Sequence, residues 1–242
     1  MTFAIGIHYA AYRRRRDARA LVRMSDAIGV THICPNMSLV PEAEQNTIDY
    51  LVDTAMIPGI EVWPIINPDY EGAHICNGAF ASLTNPHRVN YDHTDFHEWM
   101  LKYLRDLSFA NAYGVVFRNA TAELTTVLER ARTYMPKEFG IGVITKDPAW
   151  RQWMDDELID WLILTAQTPT LPSTLPSTLQ LNGAQRIFSY FRGYDPKANE
   201  DYPAAALAAD FIQASNIFFE DYDDLQLVAL ERYLNKEVQD DA

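Results

Sequence analysis

Eight short apolar segments recur along the chain, and they restrict its architecture more than any other pattern in the sequence. Each is at most seven residues long, rich in β-branched and aromatic residues, and almost continuously apolar. This character is typical of parallel strands that are covered on both faces of a sheet. The segments occupy residues 2–8, 31–35, 61–67, 113–118, 139–145, 160–165, 186–191 and 216–220.

Stretches with helical spacing lie between most of these segments. The clearest covers residues 95–110, where apolar side chains fall on one face of a 3.6-residue helix. Alternation of strand and helix predicts βαβ units, and right-handed crossovers leave either an open doubly wound sheet or a closed barrel. Further helices are predicted at residues 19–28, 48–56, 124–131, 203–213 and 225–233.

A closed (β/α)8 TIM barrel is the predicted fold. Eight strands suit it, and its usual length of about 250 residues is close to the 242 residues of this chain. The glycine-rich motifs of the open nucleotide-binding folds are missing from the sequence. We therefore expect residues 1–242 to form a single domain and to need no cofactor. Segment 167–185 holds three prolines within eight residues, which predicts either an irregular loop between the sixth and seventh strands or a barrel that is incomplete there.

Charge and hydropathy limit the partners of the chain. Its net charge of −13 works against binding to nucleic acid or to an anionic membrane, and no apolar stretch is long enough for a transmembrane helix. The first charges follow the N-terminal apolar segment, which is the reverse of a secretory signal. We expect a soluble chain without a signal peptide, located in the cytoplasm, released by lysis or carried in a virus particle. A homo-oligomer or a larger assembly fits the same interpretation.

Polar and aromatic residues follow the predicted strands at the C-terminal face, where barrels of this kind keep their sites. Amides and carboxylates bind hydroxyl groups, and aromatic faces cover the C–H surface of a sugar ring. The pattern predicts a neutral polyhydroxylated ligand, in other words a carbohydrate. The residues predicted to bind it are His8, Tyr9, Asn36, Asn67, Asp69, Arg118, Tyr190, Arg192 and Asp221.

The chain contains, in this order, the pieces EVWPIIN, AYGVVFRN, FGIGVIT, DWLILTAQ and IFFEDYD. Their order resembles that of glycoside hydrolase barrels of the chitinase-like family 18. The resemblance implies a barrel that acts on or binds a glycan. That family carries its catalytic acids along and just beyond strand four, where this chain has Arg118 and Asn119 and reaches its first carboxylate at Glu123. The catalytic residues of the family are therefore not transferred, and Glu123 is expected in the first turn of the next helix.

Glycoside hydrolysis generally needs two carboxylates on either side of the scissile bond. Glu220 is the predicted general acid, because it ends an apolar strand where desolvation can favour the protonated form. Asp147 is the predicted partner, with Asp69 and Asp195 as alternatives. A second hypothesis is a catalytically inactive barrel that binds carbohydrate or serves in an assembly, for example as a virion tail or adhesion subunit.

A metal-dependent enzyme that uses His8, His93 or His97 is the third hypothesis, and it is the least favoured. His93 and His97 are four residues apart, but no H-E-x-x-H motif is formed. An N-cap at Asp92 or Thr94 predicts a solvated helix start, with His97 beside the apolar stripe. No metal site is therefore predicted.

Aromatic and thiol side chains elsewhere in the sequence are assigned to packing. Cys34 lies inside the second strand and is expected in the core. Trp150, Trp153 and Trp161 are expected to pack in the helix layer.

Overall fold

Parallel strands form the frame of the molecule. The computed structural model describes residues 2–8, 15–37, 48–70, 80–83, 85, 88–164, 186–192 and 216–222. The strands in this part of the chain are β1 Phe3–His8, β2 His32–Asn36, β3 Glu61–Val62, β4 Ile65–Ile66, β5 Gly114–Arg118, β6 Gly140–Thr145, β7 Trp161–Leu164, β8 Arg186–Arg192 and β9 Asn216–Tyr222.

The strands close into a barrel. Their order is β1-β9-β8-β7-β6-β5-β4-β2-β3, and β1 also pairs with β2, so the sheet returns to its first strand. Every strand pairing is parallel, from β1–β2 round to β8–β9. This confirms the predicted (β/α)8 barrel. The direct pairing of β7 with β8 shows that the barrel is complete beside segment 167–185, which lies wholly outside the described residues.

The third predicted strand is broken in the middle. Residues 61–67 were expected to form one strand, but β3 and β4 are separated by Trp63 and Pro64. Proline has no N–H to donate to a neighbouring strand, yet the chain keeps its place: the Trp63 amide donates to the Ile33 carbonyl at 3.0 Å, and the Val116 amide donates to the Pro64 carbonyl at 2.8 Å. The two short strands therefore share one of the eight positions in the barrel.

Helices follow most strands and cover the outside of the barrel. In α4 the buried residues include all five that define the predicted apolar face. Helix α1 begins four residues before the predicted start at residue 19, and the predicted helices at 203–213 and 225–233 lie outside the described residues. None of the described helices is long and apolar enough to cross a membrane. Their bounds are α1 Arg15–Ala27, α2 Asp49–Met56, α3 Pro68–Tyr70, α4 Thr94–Phe109, α5 Thr125–Tyr134 and α6 Trp150–Asp155, with a 3-10 turn at Ala122–Leu124.

Apolar side chains fill the barrel as well as the space beneath the helices. One buried cluster lines the interior of the barrel, and a larger one lies between the strands and the helices. Because the strands alternate their side chains between these two clusters, both faces are apolar, as the sequence pattern predicted. The interior cluster contains Ala4, Cys34, Trp63, Ile65, Val116, Ile144, Trp161, Ile163, Phe188 and Phe218.

Two tryptophans close the N-terminal end of the interior. The rings of Trp63 and Trp161 stack with centroids 3.8 Å apart and an interplanar angle of 11°. The expectation that Trp161 packs in the helix layer is therefore wrong, whereas Trp150 and Trp153 are buried there. Gly140 leaves the space that the Trp63 ring occupies, since a Cβ at this position would lie 2.6 Å from Trp63 Cζ2.

A hydrogen-bonded group lies next to this tryptophan pair. His32 Nε2 donates to Glu61 Oε2 at 3.0 Å, and Trp63 Nε1 donates to the same oxygen at 2.9 Å. The hydrogen bond from His32 lowers the pKa of Glu61, burial opposes this shift, and the hydrogen bond from Trp63 and the positive charge of His32 add to it. The hydrogen bonds and the charge of His32 outweigh burial, so the folded chain favours the ionised Glu61 carboxylate more than the unfolded chain does.

Replacement of Glu61 by glutamine is expected to remove a pH-dependent part of the stability. Because folding lowers the Glu61 pKa, its contribution is complete above the unfolded value of 4.5 and is lost as the pH falls through the folded value. We expect the unfolding free energy of wild type to exceed that of Glu61→Gln at about pH 6 and this difference to disappear at about pH 3. The difference should be no more than about 1 kcal/mol, because the carboxylate is partly exposed. Urea unfolding at both pH values measures it.

The control for this comparison is Glu98→Gln, which replaces an exposed glutamate on α4. Its difference from wild type should change little with pH. If the difference in unfolding free energy between wild type and Glu61→Gln stays constant, or grows towards low pH, the assigned role of the His32–Glu61 pair is contradicted.

Candidate functional site

An open cleft lies at the C-terminal face of the barrel. Its volume of about 680 Å³ falls within the range of roughly 300–1,000 Å³ that is usual for ligand pockets. The cleft is bordered by the ends of β5 and β6, by the short helix α3 after β4, and by the long connection from β4 to α4. Its lining residues are Asp69, Arg88, Asn119, Ala120, Thr121, Ile144, Thr145, Lys146 and Asp147.

Asp69 is held from three directions. Val89 donates its backbone N–H to Asp69 Oδ1 at 3.1 Å, and Arg88 Nε approaches Asp69 Oδ2 at 3.5 Å. The Tyr91 hydroxyl also hydrogen-bonds to the carboxylate; burial first, and then the negative charge of Asp69, raise the pKa of Tyr91. Tyr91 therefore remains a hydrogen-bond donor to Asp69 across the physiological pH range.

Arg88 joins two acids across the cleft. Its Nη2 donates to Glu123 Oε2 at 2.5 Å, while its Nε faces Asp69. Arg88 lies on an antiparallel turn that is closed by the bridge between Ala81 and Val89. The ion pairs thus attach the β4–α4 connection to the rim of the barrel. Glu123 lies in the 3-10 turn Ala122–Leu124 before α5, close to the expected first helical turn.

Asp147 is bound to the backbone on both sides. Its Oδ2 accepts the Ala122 N–H at 3.1 Å, and its Oδ1 accepts the Ala149 N–H at 2.9 Å. Its own N–H donates to Thr145 Oγ1 at 2.8 Å, and the buried Thr145 hydroxyl donates to the Ala120 carbonyl at 2.6 Å. These contacts fix the chain after β6 against the chain after β5.

The end of β5 turns sharply into the cleft. Asn119 has φ = 56°, in the left-handed region that asparagine tolerates better than most residues. Arg118, the last residue of the strand, is half-buried. In this region the sequence has guanidinium and amide groups instead of the carboxylates of the family 18 pattern, and Asn119 lines the cleft.

The register of the strands brings other predicted residues to the same end of the barrel. The backbone of His8 pairs with Asn36, that of Asn36 with Ile65, and that of Arg192 with Glu220. Asn67 follows β4, and its Oδ1 is buried with no hydrogen-bond partner in the described part of the chain. The side chains of His8, Tyr190, Arg192, Glu220 and Asp221 lie outside what the structure describes, as do Tyr9 and Asp195 entirely.

A change of register marks the position of Glu220. Ile5 of β1 pairs with Phe219 of β9, but Ile7 pairs with Tyr222, so Gly6 faces both Glu220 and Asp221. One extra residue in a strand is a β-bulge, a feature that is frequent at barrel rims and beside active sites because it changes the direction of a side chain.

The histidines near α4 do not form a metal site with other described groups. No cluster of three or more His, Cys, Asp or Glu residues suitable for a metal ion occurs within the described ranges. The helix begins at Thr94 with His93 as its N-cap, in place of the predicted Asp92 or Thr94. His97 is 5% exposed and its Nε2 donates to the Tyr91 carbonyl, so the expectation of a position beside the apolar stripe is wrong.

Sequence reasoning identified Asp69 and Asp147 but missed Arg88 as a cleft residue. It placed Glu123 by its helix position alone, without the ion pair to Arg88. The signal for Arg88 was weak, because it is a single arginine between His87 and Val89 in a long connection that follows a strand. Its role depends on contacts with residues 19 and 35 positions away, which no local pattern contains.

Comparison with known proteins supports the fold. No family model matches the chain, and no curated protein matches it by sequence. Among solved structures, the maltogenic α-amylase AmyB from Thermotoga neapolitana matches with a TM-score of 0.63 and 9% identity, covering 92% of this chain and 70% of its own. The endo-1,4-β-mannanase from Rhizomucor miehei matches with a TM-score of 0.62 and 8% identity, covering 98% and 95%.

A third similar structure is that of an enzyme that is not a glycoside hydrolase. Tryptophan synthase from M. tuberculosis matches with a TM-score of 0.55 and 12% identity, covering 96% of this chain and 89% of its own. Some other matching structures are longer, and this chain spans as little as 58% of their length. At these identities the likeness concerns the fold, which carries many unrelated reactions. The chain is a (β/α)8 barrel, and the resemblance to glycoside hydrolases of family 18 stays a prediction.

Proposed function

We propose that the chain hydrolyses a carbohydrate at the C-terminal face of the barrel, with Glu220 as general acid. The observation that carries this proposal is the β-bulge opposite Gly6. It supports a special backbone position for Glu220 and Asp221 at the rim, because bulges are frequent at barrel rims and beside active sites. The amylase and the mannanase among the similar structures act on glycans by their names.

The lining of the cleft supports a neutral substrate. Two acids, Asp69 and Asp147, face two cations, Arg88 and Lys146, so the formal charges of the lining balance. Hydroxyl and amide groups from Thr121 and Asn119 add donors and acceptors. A neutral ligand with many hydroxyl groups matches such a surface better than a polyanion or a polycation.

The contacts favour Asp69 over Asp147 as the second carboxylate. Both oxygens of Asp147 accept backbone N–H groups, which suits a structural cap. Asp69 is held by a guanidinium, a phenol and one backbone N–H, an environment in which hydrogen bonds and positive charge orient an anion. In the reaction, Glu220 gives its proton to the leaving oxygen as the C1–O bond breaks, and Asp69 supplies its electron pair either to C1 or to a proton of the attacking water.

The replacement Asp69→Ala tests this role. We expect hydrolysis to fall at least about a hundredfold and to recover partly in sodium azide, with a glycosyl azide as product, because the small anion takes the place of the missing carboxylate. Asp147→Ala should lose stability, and azide should not restore any activity it loses. Loss of activity in Asp69→Ala without azide rescue would assign Asp69 a structural role instead.

The experiment for the whole proposal is the release of reducing ends by wild-type protein. Starch and mannan are the first substrates, followed by other neutral polysaccharides, with the products separated by chromatography. Release that stops in Glu220→Gln would support the hydrolase. No release from any neutral glycan would contradict it.

A second candidate function is a barrel that binds carbohydrate without cleaving it, alone or as part of an assembly. The observation that favours it is that Asp69, Glu123 and Asp147 are all engaged by cations or backbone N–H groups. Affinity electrophoresis in gels containing the same polysaccharides separates the two functions. Retarded migration without product release would favour the binding module.

A further inference from the structure

We infer that the N-terminal face of the barrel is an interface between two copies of this chain. The inference is independent of the proposed function, because this face lies at the opposite end from the cleft that contains Asp69. It begins from the distribution of exposed apolar side chains. Seven large ones are exposed in the described ranges, and five belong to the N-terminal face: Met56, Ile57, Phe109, Tyr113 and Tyr134.

These five side chains come from three consecutive units of the barrel. Met56 and Ile57 end helix α2, Phe109 ends α4, Tyr134 ends α5, and Tyr113 immediately precedes β5. In a (β/α)8 barrel, helix C-termini and strand N-termini meet at the same end. The five residues therefore lie on one face, away from the connections that form the cleft.

A shallow depression connects these units. It has a volume of about 280 Å³ and is bordered by Met56 from the first unit, Asn111 and Tyr113 from the second, and Pro136 and Glu138 from the third. Two of the five exposed side chains, Met56 and Tyr113, border the depression, and its border residues Ser108 and Pro136 are one and two residues from Phe109 and Tyr134. We name the five side chains together the basal patch.

The exposed area of the basal patch is that of a dimer interface. Ile57 and Phe109 are 87% and 83% exposed, so almost the whole of each side chain faces solvent. The patch as a whole exposes on the order of 700 Å². A standard interface buries roughly 800 Å² on each partner, which is close to this summed area.

The charges beside the patch favour a second copy as the partner. The whole chain has a net charge of −13, so most pairs of surfaces on two copies repel each other. Beside the patch the signs alternate: Lys137 precedes Glu138, and Arg105 precedes Asp106. A two-fold contact pairs each surface with itself, and a face that carries both signs can match a lysine of one copy with a glutamate of the other.

Sedimentation equilibrium of the full chain tests the inference. We expect wild type to dimerise with a dissociation constant below about 10 µM. Phe109→Glu and Ile57→Glu each place a carboxylate at one of the two most exposed positions of the patch and should weaken dimerisation at least about 30-fold. Leu83→Glu is the matched control, because Leu83 is a fully exposed apolar residue on the β4–α4 connection, and it should leave the dimer intact.

Since all three replaced side chains are exposed, we expect the three variants to fold like wild type, and circular dichroism spectra test this expectation. A wild-type chain that stays monomeric at every concentration would overturn the inference and leave the patch to a different protein. A dimer that persists in both Phe109→Glu and Ile57→Glu would overturn it as well, because the contact would then use another surface.

Discussion

Replacement of Glu220 by glutamine is expected to reduce the turnover number about a hundredfold to ten-thousandfold while binding of the glycan persists. Glutamine keeps the size of the side chain but cannot donate a proton to a leaving oxygen. The backbone of Glu220 sits in β9, paired with Arg192 and opposite Gly6 at the β-bulge. An isosteric change at a rim position should leave the barrel folded, with an unchanged circular dichroism spectrum.

Substrates with different leaving groups make this prediction specific. Dinitrophenolate departs from a glycoside without protonation, so Glu220→Gln should lose much less activity on a dinitrophenyl glycoside than on a polysaccharide. Asp221→Asn alters the other residue of the bulge and should show no such dependence on the leaving group. Equal losses on both kinds of substrate for Glu220→Gln would mean that Glu220 acts by position or packing, and the assigned acid would be wrong.

Replacement of Gly140 by alanine is expected to cost about 3 kcal/mol or more of unfolding free energy. An added methyl group would overlap Trp63 Cη2 and lie 2.6 Å from Trp63 Cζ2 and Cζ3. The Trp63 ring has little room to retreat, because Trp161 stacks on it at 3.8 Å and its Nε1 is held by Glu61. Close-packed interiors respond to such overlap with strain in side chains and backbone.

Guanidinium denaturation of two further variants shows whether the overlap with Trp63 is the cause. Gly142→Ala lies on the same strand, and its nearest contact would be Trp161 Cβ at 3.0 Å, so it should cost clearly less. The double variant Trp63→Leu with Gly140→Ala should be more stable than the sum of the two single losses implies, since leucine vacates the space. Additive losses would contradict the steric explanation.

The fold follows from local patterns to a large extent. Continuous apolar segments with helices between them are read directly from residues a few positions apart, and the barrel they predict is confirmed by the closed order of strands. The break at Pro64 was also present in the sequence as a missing N–H. It was overlooked because the surrounding residues are apolar on both sides, which is the pattern of an uninterrupted buried strand.

The candidate site follows from the sequence only in part. Asp69 and Asp147 were found because each comes directly after a strand, and the fold itself carries such residues to one rim. The partners of these acids were not found, since Arg88 meets Asp69 and Glu123 only after the β4–α4 connection has folded over the rim. The bulge at Glu220 depends on the pairing of β1 with β9, more than two hundred residues apart, and no periodicity within either strand reveals it.

Cys34 offers a way to time the opening of the barrel. Burial, with the nearby negative charge of Glu61, raises the pKa of this thiol, and alkylating reagents attack only the thiolate. Replacement of the other cysteine, Cys76, by serine leaves Cys34 as the one thiol of the chain. Iodoacetamide would then label the chain no faster than solvent reaches the barrel interior. The rate at which Cys34 is labelled would therefore report how the barrel interior opens to solvent in the native state.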